Sequence, residues 1–221
     1  MANNNLKFKN NRWLNLFGTV SLAVFFLLAI AVKLHSSELS RLDRAISLFF
    51  YERRSRNLIF AFQFISDIGR PTITAAIIIL LALVFYGNHR RILAFWLVLS
   101  TVLGNLFWQL LKIYFMRPRP LMTTMHHSFA FPSGHAASVV IFAFLIISLL
   151  PLLNVSKKIK KVMTVILLLF VLTVCFSRIY LEAHYLSDVV SGAALAFSWI
   201  IFMRHIYNKF AEKLLLAKMF R

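Results

Sequence analysis

Six apolar runs separated by short polar or basic segments dominate the chain, at residues 13–32, 71–86, 92–115, 133–153, 162–175 and 186–203. At the rise of an α-helix, roughly 20 apolar residues cross a hydrocarbon core about 30 Å thick. The run at 71–86 is short for this and is expected to begin within the preceding segment, and the run at 162–175 to continue toward Tyr180. Residues 33–70 are mixed. Leu42, Ala45, Ile46, Phe49 and Phe50 follow helical spacing with Asp43, Arg44 and Ser47 on the other side, and Leu58, Phe62, Ile65 and Ile68 repeat the pattern ahead of Gly69. These predict two short amphipathic helices lying in the membrane interface rather than crossing it. The expected fold class is all-α: a polytopic membrane protein with six transmembrane helices and short interfacial amphipathic helices after the first. Residues 1–221 read as a single domain, with no internal repeat or long linker.

The first run follows Lys7, Lys9 and Arg12 and contains Ala29-Ile30-Ala31, a pattern also found in cleaved secretory signals. Its length favours an uncleaved first helix. At 60% hydrophobic and 14% charged residues, the chain is too apolar for a soluble domain. That changes the meaning of its net charge of +18, which in a soluble chain would point to nucleic acid. Here the basic residues lie between the apolar runs, so lipid head groups are the expected partners and nucleic acid is not. No zinc spacing, glycine-rich phosphate loop or nucleic-acid motif is present, and neither a metal nor a cofactor is expected. The single cysteine, Cys175, excludes an intramolecular disulfide and reads as a small core residue.

Charge also predicts orientation. Arg90 and Arg91; Lys157, Lys158, Lys160 and Lys161; and Arg204, Lys209, Lys213, Lys218 and Arg221 fall on the side of the basic N-terminus, which would be the cytoplasm. The arginines at 41, 44, 53, 54 and 56 are the exception. They read as anchors to phosphate head groups in preference to a device that steers an anionic lipid. Segments 116–132 and 178–185 then share the outer face.

Those segments hold the candidate chemistry. Thr101, Asn105, Gln109 and Lys112 recur at intervals of four, four and three, a polar stripe expected to face the bundle interior. Arg117 and Arg119 follow, interleaved with Pro118 and Pro120, which end the helix and keep the chain extended. In Phe131-Pro132-Ser133-Gly134-His135, Ser133 is a candidate N-cap, and Gly134 lets a ligand approach the backbone of a helix N-terminus suited to phosphate. Finally, His184 and Asp188 are four residues apart, one helical turn, so the carboxylate can accept a hydrogen bond from one ring nitrogen and leave the other free. Read alone, this pair is equally a structural ion pair at a helix end.

Taken together, Lys112 with Arg119-Pro120, Pro132-Ser133-Gly134-His135, and Ser177-Arg178 with His184 and Asp188 resemble the three-part signature of the type 2 phosphatidic acid phosphatase superfamily, which also includes vanadium haloperoxidases. All eleven signature positions match, over residues 112 to 188. The resemblance implies that His184 is a nucleophile forming a phosphohistidine, with Asp188 holding its tautomer. It implies that His135 protonates the leaving oxygen and then activates water, so a bell-shaped pH–rate profile is expected. Lys112, Arg119 and Arg178, with the Ser133 hydroxyl and the Gly134 amide, would cradle the phosphate without a metal.

Some residues depart from the pattern or stand outside it. Glu182 and Leu186 occupy places where many family members carry glycine and proline; Glu182 is expected to face water. His126 and His127 read as loop residues, and Arg117 as a possible substrate contact outside the signature. The implied activity is that of a bacterial lipid phosphatase in the inner membrane, with its site on the periplasmic or extracellular face. Undecaprenyl pyrophosphate stands slightly ahead of phosphatidylglycerol phosphate, phosphatidic acid and lipid A phosphates as substrate. The competing readings are a lipid phosphotransferase with the same histidine chemistry and a non-catalytic lipid-binding or transport protein. A haloperoxidase fits less well, because the peroxidase members taken for comparison are soluble.

Overall fold

The computed structural model describes residues 8, 10–120 and 128–219, with side chains through residue 211. Lys7, Lys9, His126, His127 and Arg221, and the side chains of Lys213 and Lys218, lie outside the described residues. The chain runs through α1 (Arg12–Lys33), α2 (Ser37–Glu52), α3 (Arg56–Ile68), α4 (Pro71–Gly87), α5 (Arg91–Phe115), α6 (Gly134–Leu149), α7 (Lys157–Tyr180) and α8 (Leu186–Met219). Among the described residues six stretches are long and apolar enough to cross a membrane. The short run at 71–86 is completed as expected: α3 and α4 together make one candidate span, Arg56–Gly87, interrupted only at Gly69 and Arg70.

The helix α6 occupies the middle, with α4, α5, α7 and α8 around it and α1 along α8. Sequence explains these choices. Ser198 of α8 donates to the Gly18 carbonyl of α1 at 2.8 Å, and a Cβ at Gly18 would sit 3.2 Å from Ile201, so the two helices touch where glycine allows it. Helix α6 is apolar all round, as a helix buried on every side must be. Cys175, half-buried on α7, packs against Ala136, Ile179 and Val189.

One expectation gains detail and one needs correction. On amphipathic α2, Asp43 and half-buried Ser47 turn inward with Ile46 and Phe50, while Glu38, Arg41 and Arg44 are exposed. Asp43 is buried while Leu42, Leu48 and Phe49 are exposed, the arrangement favoured where the surroundings are lipid. The stripe on α5 is not continuous: Thr101 and Lys112 are buried and Asn105 half-buried, but Gln109 is exposed. At 100° per residue Gln109 lies about 80° around the helix from Thr101, whereas Lys112 returns to within about 20° of it.

Candidate active site

Helices that alternate in direction bring four ends together. These are the C-terminal ends of α5 and α7 and the N-terminal ends of α6 and α8, and every residue of the three-part signature lies there. Helix α5 closes at Met116, whose left-handed conformation (φ 48°) carries its N–H to the Lys112 carbonyl at 2.9 Å. Beyond it the proline-spaced arginines run extended, and the Ala130 N–H pairs with the Arg117 carbonyl at 2.8 Å to return the chain toward α6. The Phe131–Pro132 peptide is cis.

At the start of α6 the Ser133 hydroxyl accepts from the Ala136 N–H at 3.4 Å, as the N-cap reading expects. The Ser133 N–H donates to the Asp188 carbonyl at 2.9 Å, joining α6 to α8 backbone to backbone. That approach needs Gly192: a Cβ there would lie 2.5 Å from the Ser133 carbonyl oxygen. Lys112 lies alongside, its ε-carbon 3.7 Å from where a Gly134 Cβ would be, and its ammonium donates to the Phe129 carbonyl at 2.7 Å.

The end of α7 places the nucleophile candidate. The N–H groups of Ala183 and His184 both donate to the Arg178 carbonyl, at 3.1 and 3.2 Å, so the chain folds back and holds His184 against the last turn of α7. Glu182 makes the reversal with φ 56°, the left-handed conformation for which glycine is best suited at a helix C-terminus. Glu182 does not face water. It is buried and accepts a hydrogen bond from Ser47 of α2 at 2.6 Å, and burial raises its pKa. Leu186 opens α8 at its first helical position, the place where the proline of other family members would fit without losing a bond.

His184 is 2% exposed. Its Nε2 lies 3.5 Å from the Arg119 guanidinium, and its Nδ1 faces the Asp188 carboxylate at 3.7 Å, beyond hydrogen-bond length. The sequence predicted the pairing but not this distance. Asp188 is drawn aside by Arg117, whose Nη1 donates to it at 2.6 Å, and by the Tyr185 N–H at 2.9 Å. Burial, followed by the charges of Lys112, Arg178 and Arg119, pushes the His184 pKa well below its ordinary 6.5, so the free ring is neutral near neutral pH.

Arg119 is held by the Ser128 carbonyl at 2.8 Å, the Ser128 hydroxyl at 2.7 Å and the Ala183 carbonyl. Buried Arg178 donates to the Ser66 hydroxyl of α3. His135 is half-buried and within electrostatic reach of Arg178, His184 and Arg119. Near the α6 N-terminus, Arg119 thus lies at His184 Nε2, Lys112 beside Gly134, and Arg178 within electrostatic reach of both histidines. Lys112 and Arg119 are oriented by neutral oxygens rather than carboxylates. Cations beside a helix N-terminus form an environment suited to an oxyanion.

The pattern that defines the PAP2 superfamily matches residues 93–212, more than half of the sequence. The chain belongs to the PAP2 superfamily. It is 29% identical to phosphatidylglycerophosphatase B of Bacillus subtilis (strain 168) over 188 residues, covering 81% of this chain and 90% of that protein. The crystal structure of a transmembrane PAP2-type phosphatidylglycerolphosphate phosphatase from Bacillus subtilis superposes with a TM-score of 0.76 at 24% identity, over 87% of this chain and 96% of that one. The six candidate spans are therefore those of a multi-pass PAP2 fold.

Sequence reasoning missed Asp43, Gly192 and Ser66. Gly192 was within reach of it, standing one turn beyond Asp188 on the same helix face. Asp43 had a signal too, as one of only seven carboxylates in a chain with 25 lysines and arginines. Nothing in the local pattern marks Ser66.

Proposed function

We propose that this chain is a membrane lipid phosphatase that hydrolyses a phosphate monoester or pyrophosphate on a lipid head group, with phosphatidylglycerol phosphate the foremost candidate substrate. The observation that carries this reading is the clustering of Lys112, Arg119 and Arg178 around His184 near the α6 N-terminus. The name of the Bacillus relative supports phosphatidylglycerol phosphate and moves undecaprenyl pyrophosphate to second place.

In the proposed reaction, the neutral His184 Nε2 attacks phosphorus. An N–P bond forms as the bond to the lipid oxygen breaks, and His135 gives its proton to that oxygen. His135 then takes a proton from water, which attacks the phosphohistidine to release phosphate and restore His184. Lys112, Arg119, Arg178, the Ser133 hydroxyl and the Gly134 amide neutralise the charge on the phosphoryl oxygens. Preorganised donors of this kind are worth about 10²–10³ in rate each. The site is assigned to the outer face of the bacterial inner membrane on the distribution of basic residues.

The test is phosphate release by the purified protein in detergent micelles from a panel of phosphatidylglycerol phosphate, undecaprenyl pyrophosphate and phosphatidic acid, with and without a chelator. Release that is fastest from phosphatidylglycerol phosphate and unchanged by the chelator is expected. Transfer of the phosphoryl group to an added lipid without free phosphate would establish the transferase instead, and no release from any lipid would favour the binding protein.

The pH dependence is a second test. Because the His184 pKa is lowered, the proton that silences the nucleophile binds only below pH 6.5. The acid limb of kcat/KM is therefore expected below pH 6.5. An acid limb at or above pH 6.5 would contradict the role assigned to His184.

A further inference from the structure

We infer that Asp43 and Arg117, neither of them part of the three-part signature, are positioning residues that act on His184 through Asp188. This rests on the phosphatase reading above and assigns α2 a part in it.

The three groups form one buried chain. The Arg117 guanidinium spans two carboxylates, with Nη2 donating to Asp43 at 2.7 Å and Nη1 to Asp188 at 2.6 Å. The Arg117 side chain is 12% exposed, that of Asp43 2% and that of Asp188 0%. Asp43 also accepts from the Ser187 N–H at 3.1 Å and from the Ser187 hydroxyl, so it is tied to the first turn of α8, the turn that carries Asp188. Arg117 completes the lock by donating to the Ser187 hydroxyl at 2.7 Å and lying over the Tyr185 ring, 4.7 Å from its centre. A planar guanidinium presents two separate nitrogens in a fixed fork to the two carboxylates; an ammonium has only one nitrogen and no fork.

Position alone would need only Arg117. Charge explains Asp43. An Arg117–Asp188 pair is neutral overall, and a neutral pair does little for a cation forming on the imidazole next to it. With Asp43 the trio carries one net negative charge, and its nearest outlet is the Asp188 oxygen 3.7 Å from His184 Nδ1. When His184 takes the phosphoryl group at Nε2 and keeps its proton on Nδ1, the ring becomes positive. At that moment the surplus charge is useful. The cations Lys112, Arg119 and Arg178 oppose a positive ring, so the compensation has to come from the Asp188 side. The α2 helix supplies it from the inward-facing Asp43 while Leu42, Leu48 and Phe49 stay outside.

A merely structural role for α2 is separable, because the same helix has a second attachment to the same loop. Ser47 donates to Glu182 at 2.6 Å and does not touch Asp188. The experiment compares Asp43→Asn and Ser47→Ala with the unaltered protein, in micelles containing phosphatidylglycerol phosphate, recording kcat, KM and thermal midpoint. The nearly isosteric Asp43→Asn is expected to lower kcat at least about tenfold with KM within about twofold. Ser47→Ala is expected to leave both within about twofold. Parent-like kcat in Asp43→Asn overturns the inference, as does an equal loss of kcat in both variants. If Asp43→Asn does not fold, Arg117→Lys takes its place; it keeps the charge but not the bridge, and parent-like kcat in that variant also overturns the inference. An unaltered protein inactive on every lipid would instead count against the phosphatase reading, a different outcome from an active parent with a slow variant.

Discussion

His184→Ala is expected to release phosphate at least about 10⁴-fold more slowly than the unaltered protein from whichever lipid the latter cleaves, the scale on which loss of a covalent nucleophile is felt. The reason is local. The imidazole has Asp188 facing its Nδ1 and Arg119 at its Nε2, with Lys112 and Arg178 within electrostatic reach. Those cations remain in the variant, and so does the α6 N-terminus, so substrate binding should survive the loss of turnover. KM is therefore expected to stay within a few-fold of its original value or to fall. A variant that loses binding as severely as turnover, at an unchanged thermal midpoint, would mean that His184 holds the lipid rather than attacks it.

Gly192→Ala is expected to have the next largest effect, at a residue that touches no substrate. Its new methyl carbon would lie 2.5 Å from the Ser133 carbonyl oxygen and 3.1 Å from the Ser133 nitrogen. Both atoms are backbone, so neither helix can yield by turning a side chain. The α6 N-terminus must move away from α8, breaking the 2.9 Å bond from the Ser133 N–H to the Asp188 carbonyl and carrying the Ser133 hydroxyl, the Gly134 amide and His135 with it. Overpacking of this kind costs about 1–3 kcal/mol, and a displacement of about 1 Å in a catalytic group costs on the order of 10² in rate. Both losses should be visible, as a lower thermal midpoint and a lower kcat. Gly87→Ala is the control, since nothing lies within 4 Å of its added carbon. A Gly192→Ala variant with parent-like kcat would show that the α6–α8 contact does not set the site.

How much of this was legible in the sequence follows the range of the interactions concerned. The spans were legible because bilayer thickness imposes a length of apolar chain that needs no knowledge of neighbours. The three motifs were legible because each is local: a helix end with Lys112 and Arg119, a capped helix start at Ser133, and a one-turn pair at His184 and Asp188. Their meeting followed from the alternation of spans. What was not legible depends on contacts between segments distant along the chain. The inward placement of Asp43 on α2 depends on Arg117 and Ser187, 74 and 144 residues away. An amphipathic pattern gives a polar side but does not say whether water or buried arginine faces it. Glu182 was misread for the same reason, because its partner Ser47 is 135 residues distant. The gap between His184 and Asp188 is also tertiary, set by Arg117 competing for the carboxylate. Gln109 was misplaced by treating a four-residue repeat as one face, when a helix drifts by about 40° at each such step.

The most direct measurement of the central proposal is a rapid acid-free quench of the purified protein turning over phosphatidylglycerol phosphate labelled in its terminal phosphate, followed by mapping of the labelled peptide. Label bound to His184 through nitrogen, stable to alkali, lost in mild acid and missing from His184→Ala, is the expected result. Full turnover with no label on the chain at any time, or label on another residue, would contradict the assignment of His184 as the nucleophile.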